Sequence, residues 1–136
     1  MRIASRSSNN RRRGVAAMEF AVCLPVLVTL VFGSFQACDM LFLKHAVTTA
    51  AYEGTLAAAK SNATTESVCN AARQVLTAMN VHEATVSTLP LGVDVANVPP
   101  GEMLTVVVNA PVGPNLFGPV IFVPSTQAET RGVTIR

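Results

Sequence analysis

The chain has 136 residues, half of them hydrophobic and only 13% charged, with a mean hydropathy of +0.42 and a formal net charge of +2. Soluble domains carry about 25% charged residues, so this composition points to a membrane segment beside an Ala/Val/Thr-rich remainder, and the length leaves room for one modest domain. The net charge conceals an asymmetry: Arg2, Arg6, Arg11, Arg12 and Arg13 are not balanced by any acid in the first thirteen residues, whereas from Val15 onward five basic residues face eight acids.

Residues 1–14 are basic and rich in Ser and Asn, and are expected to be a disordered cytoplasmic leader. A basic tail can mean nucleic acid. Here Arg11, Arg12 and Arg13 sit just before an apolar run, with no aromatic interleaving and no recognised binding motif. The positive-inside rule therefore accounts for them as a topology signal, and no nucleic-acid partner is expected.

From Val15 the pattern is helical. Phe20 to Cys38 are nineteen residues without a charge; at 1.5 Å per residue they make roughly 28 Å of helix, close to the hydrocarbon thickness of a bilayer. Pro25 removes one backbone donor, which membrane helices tolerate. Gly33 and Ser34 either mark close helix–helix approach or are merely permitted against lipid. Beyond Asp39, the apolar residues Met40, Leu43, Val47, Ala50, Ala51, Gly54, Ala57 and Ala58 recur at steps of three and four. This stripe extends the helix past the bilayer as an amphipathic stalk. Residues 15–60 thus read as a transmembrane plus stalk helix with its span at about 20–38.

Residues 61–136 read as a small extracytoplasmic α+β domain. Thr64 or Thr65 is placed to N-cap a helix carrying Glu66 in its first turn. Val68, Ala71, Ala72, Val75, Leu76 and Met79 then give it one apolar face, and it is expected to end near Asn80 and fold back onto the stalk. From Val81 the periodicity changes. HEATVSTLPL and MLTVVVNAPV read as two strands bounded by PPGE and VGPN turns, FGPVIFV as a weaker strand and AETRGVTIR as a last one. Val106 and Val108 are expected on one face of the sheet, Thr105 and Val107 on the other. The fold class is therefore α+β: a long N-terminal transmembrane and stalk helix, a second amphipathic helix and a small antiparallel sheet, in a single-pass membrane protein.

Little in the chain carries catalytic chemistry. There is no HExxH, GxSxG or phosphate-binding loop. His45 and His82 read as ordinary partly exposed residues. Cys23 and Cys38 lie on one helix roughly 22 Å apart along its axis and cannot pair within it. Cys69 has no close partner in sequence, and the three cysteines read as small buried hydrophobes, with an intermolecular disulfide or a lipid attached at Cys38 as the other reading. No enzyme activity, metal site or cofactor is expected.

The stretch Gly14–Phe20 does carry a chemical argument. A cut after Gly14 would make Val15 the first residue and Glu19 the fifth. The removed peptide would be hydrophilic and the apolar region retained, the reverse of a secretory signal. Glycine before the bond leaves a peptidase room to approach the backbone. Glu19 stands at the edge of the apolar run, where a charge costs a few kcal/mol if drawn to mid-bilayer, and a cationic partner would offset that cost.

This arrangement, glycine then four residues then Glu-Phe, resembles prepilin-like proteins. More closely, RRGVAAMEFAVCLPVLVTLVFGSFQACDMLF with the later TTAAYEG resembles the TadE-like family of tight-adherence (Flp) pilus assembly proteins. Gly14, Glu19, Phe20, Ala21, Pro25, Ala50, Ala51, Glu53 and Gly54 occupy the family's motif positions. The resemblance covers roughly residues 11–58. It implies a pseudopilin or minor pilin anchored in the bacterial inner membrane by one span, with its N-terminus cytoplasmic and its domain periplasmic or extracellular. It further implies cutting by a membrane prepilin peptidase between Gly14 and Val15. Glu19, beside Phe20, would then neutralise the new α-amine of a neighbouring subunit. The partners it implies are the lipid bilayer, the peptidase, pilin or pseudopilin subunits and the assembly machinery. Two other readings use the same residues: an anchored envelope interaction protein with no pilus role, and a lipoprotein with Phe35–Cys38 as lipobox, although Phe rather than Leu occupies its −3 position.

Overall fold

A computed structural model describes the backbone of residues 8–99, 101–117 and 127–135, and the side chains of residues 14–99, 101–117 and 128. The elements run α1 (Ser8–Ala58), α2 (Thr65–Ala78), β1 (Thr85–Leu89), β2 (Met103–Pro111) and β3 (Gln127–Ile135), with 3-10 turns at Val95–Asn97 and Gly113–Asn115. The chain divides into two compact units, Met1–Phe35 and Gln36–Arg136.

The first unit is helical from Ser8. The helix therefore begins inside the stretch expected to be disordered. Arginine is a good helix former, and once a helix is nucleated each added residue gains a hydrogen bond, so Arg11–Arg13 continue the helix of the apolar run. From Val15 to Phe35 the large side chains are exposed on every side, among them Val15, Met18, Phe20, Val22, Leu24, Leu27, Leu30 and Phe32. Pro25 lies inside the helix and has no N–H to give to the carbonyl four residues earlier. The Thr29 hydroxyl donates to the Pro25 carbonyl at 2.8 Å, and the Ser34 hydroxyl to that of Leu30 at 2.8 Å, so both polar side chains are satisfied within the helix itself. Among the described residues one helix, Gly14–Ala58, is long and apolar enough to cross a membrane, and none of its most apolar window is packed inside the fold. That is consistent with a membrane anchor.

The second unit holds the core. Its part of α1 buries Leu43, Ala46, Val47, Ala50, Ala51 and Ala58, and α2 buries Val68, Ala72 and Leu76, the faces the periodicity predicted. The N-terminus of α2 carries a capping box: the Thr64 hydroxyl accepts from the Ser67 N–H, and the Ser67 hydroxyl accepts from the Thr64 N–H. Its C-terminus is closed by Asn80 in the left-handed region, φ 58. The Val81 N–H donates to the Leu76 carbonyl and the Asn80 N–H to that of Thr77, the hydrogen-bond pair of a Schellman motif, in which asparagine is a common substitute for glycine. Gly101, at φ +91, makes the turn into β2 with a conformation that residues with a Cβ rarely adopt.

The sheet is antiparallel in the order β1-β2-β3. Thr88 pairs with Val106 across β1 and β2, and Val106 with Gly132 across β2 and β3. Along β2, Leu104, Val106, Val108 and Ala110 are buried while Thr105, Val107 and Asn109 are half-buried, the alternation expected of a strand with one face on the core. The expected strand over FGPVIFV falls almost wholly on residues outside those described. Helix, helix, then antiparallel strands bear out the α+β reading.

Candidate functional site

The residues singled out by motif all lie on α1 and fall into two sets. The first set is in the N-terminal unit. Gly14 and Val15 lie within the helix, both exposed, and a Cβ at Gly14 would meet nothing within 4 Å. The bond between them is therefore open to solvent but held in helical backbone. Gly14 is the residue of lowest helix propensity in that stretch, by roughly 1 kcal/mol relative to alanine, so it is the natural point at which to unwind. Arg11, Arg12 and Arg13 precede it on the same helix; their side chains lie outside those described.

Glu19 and Phe20 are exposed. Glu19 is the one charged residue between Arg13 and Asp39, and it edges an open helix-surface groove with Met18, Val22 and Cys23. A second such groove is lined by Pro25, Val26, Thr29 and Leu30. Glu19, Val22, Val26, Leu30 and Gly33 recur at three- and four-residue steps and so share one face of the helix. That face has a carboxylate at its start and the smallest residue, Gly33, near its end.

The second set is in the C-terminal unit, and its role is packing. Ala50, Ala51 and Gly54 are buried. A Cβ built on Gly54 would stand 3.0 Å from Cγ1 of Val106 and 3.6 Å from the Cβ of Ala72. Gly54 thus lets α1 approach both β2 and α2 more closely than any other residue would. Glu53, next to it, is half-buried.

The cysteines depart from expectation. Cys23 and Cys38 are exposed and Cys69 is half-buried, and all three are free. Positions 23 and 38 are on exposed faces of the helix, which periodicity within a wholly apolar run does not reveal.

Sequence reasoning missed two polar anchors. Asp39 Oδ2 accepts the backbone N–H of Phe117 at 3.0 Å. Asp94 Oδ1 accepts from both the N–H and the hydroxyl of Thr65, at 3.0 and 2.9 Å, and from the N–H of Ala96 at 3.2 Å, while the Thr65 hydroxyl accepts the Val95 N–H at 2.9 Å. The carboxylate therefore sits at the positive end of α2, and the hydrogen bond from the Thr65 backbone, with those from Ala96 and the Thr65 hydroxyl, holds its carboxyl below the usual carboxylate range. The signal for Asp94 was faint but present, an aspartate ahead of a short turn; for Asp39 there was none.

A family model described as TadE-like protein matches residues 14–56. Comparison with curated proteins and with solved structures gives no match. The matched segment starts at Gly14, takes in Glu19, Phe20 and Pro25, and ends just past Glu53 and Gly54. Over residues 14–56, from the exposed glycine to the helix turn packed on Val106, this chain is similar to the TadE-like family.

Proposed function

We propose that the chain is a pseudopilin-type subunit serving assembly of a tight-adherence pilus or a related secretion apparatus. In this reading it is inserted once in the inner membrane with its N-terminus cytoplasmic, cut between Gly14 and Val15 by a prepilin peptidase, and non-catalytic itself. The observation that carries the reading is Glu19: a lone carboxylate on a bare apolar helix face, five residues past an exposed glycine, inside the segment matched by the TadE-like model. An uncompensated charge at that position is costly in lipid. The α-amine released at Val15 of a neighbouring subunit is a cation of the right size and depth to offset it. The face shared by Glu19, Val22, Val26, Leu30 and Gly33 then offers a continuous surface for that neighbour's helix. Arg11–Arg13, on the cytoplasmic side, fix the direction of insertion.

The test is Glu19→Ala in the full-length chain in its native host. Membrane insertion and protein level should stay as in the wild type, while pilus formation and surface adherence should fall at least tenfold. Unchanged adherence would remove the charge-pairing role.

A further inference from the structure

We propose that Phe117 is a second membrane contact, a side chain set into the membrane interface beside the end of the span. The inference depends on the span reading of α1. Asp39 is the first charged residue after the uncharged run Phe20–Cys38, so if that run fills the hydrocarbon, Asp39 lies at the headgroup boundary. The Phe117 N–H donates to Asp39 Oδ2 at 3.0 Å, a contact spanning 78 positions of sequence. It holds the backbone of Phe117 at the same depth. Phe117 is 73% exposed although the residue before it, Leu116, packs against the core.

The described residues just before the ring are tied down. The Asn115 side chain accepts the His82 N–H at 2.7 Å and donates to the carbonyls of His82 at 3.0 Å and Pro111 at 2.8 Å. A large apolar side chain exposed at the depth of the first charge after the span suits burial in the headgroup/acyl boundary, where interfacial segments place Phe, Leu and Trp.

The chain contains no tryptophan, so F117W creates a single reporter, and L30W supplies one inside the span, where Leu30 is 64% exposed. Each full-length variant is reconstituted in phosphatidylcholine vesicles carrying spin-labelled lipid, with iodide as the aqueous quencher. F117W should emit to the blue of free tryptophan and be quenched at least twofold by lipid labelled near the headgroup, with little effect of iodide. Iodide quenching without lipid quenching would overturn the proposal. So would a blue-shifted emission reached by neither quencher, which would put a protein surface over the ring. If L30W is quenched by lipid and F117W is not, the second contact alone is wrong; if neither is, the span reading falls with it.

Discussion

Single residues divide between those exposed on the apolar helix and those that hold the domain. Gly54 is of the second kind. Because a Cβ there would press on Val106 at 3.0 Å, Gly54→Ala should be close to neutral, the gain in helix propensity offsetting the slight crowding. Gly54→Val should lower stability by about 1–3 kcal/mol through overpacking, read as the thermal unfolding midpoint of the full chain in detergent. Equal stability of the two variants would show that the helix is not held against the strand. Asp94 is also structural, and its effect is pH-dependent. Its carboxyl is held below the usual range in the folded chain by the bonds from Thr65 and Ala96, so in acid the unfolded chain binds the proton first. The stabilisation is therefore present above the ordinary carboxylate pKa and is lost as pH falls through the lower, folded value. Asp94→Asn should flatten that part of the acid limb relative to wild type in denaturation curves taken across pH; parallel curves would show that the carboxylate contributes nothing. Neither contact is visible in the chain itself. Gly54 could be read as a motif position, but not as the neighbour of Val106, and Asp94 meets Thr65 across 29 positions. Periodicity tells which way a side chain faces, and is silent about which distant polar group it meets.

At the level of elements, most of the fold was legible because its signals are periodic. The apolar stripe Leu43, Val47, Ala50, Ala51 buries as read, and so do Val68, Ala72 and Leu76 on α2 and the alternation along β2. The end of α2 at Asn80 was legible too, since asparagine tolerates the left-handed conformation a helix stop requires. The start of α1 was misread. Ser, Asn and Arg look disordered by composition, yet they lie against a segment that propagates helix into them. The cap of α2 allows a clean test: Thr64→Ala removes the hydroxyl that accepts from the Ser67 N–H and should cost about 1 kcal/mol. The loss should appear as a lower unfolding midpoint with faster amide exchange at Ser67 and Val68. An unchanged exchange rate there would mean the cap is redundant with Asp94.

For the whole molecule, the two units separate two tasks. Before Gln36 the described residues form an apolar helix with no buried side chain among them, and it carries the exposed glycine and the single carboxylate. Residues from Gln36 onward carry the core, built almost entirely from Ala, Val and Leu. The family match crosses that division, from residue 14 to residue 56. The small residues at the C-terminal end of the match serve the fold, while those at its N-terminal end carry the proposed function. This also bears on the lipoprotein alternative, since a cut before Cys38 would discard Glu19 and more than half of the matched segment.

In the proposed function the leader is removed between Gly14 and Val15, which frees an α-amine for a neighbouring Glu19. Intact-mass spectrometry of the protein extracted from its native membrane tests this most directly. The account predicts a chain that begins at Val15, and a chain that keeps Arg11–Gly14 when Gly14 is replaced by a bulky residue such as leucine. A wild-type mass that still includes Arg11–Gly14, or one that starts at a lipidated Cys38, would contradict it.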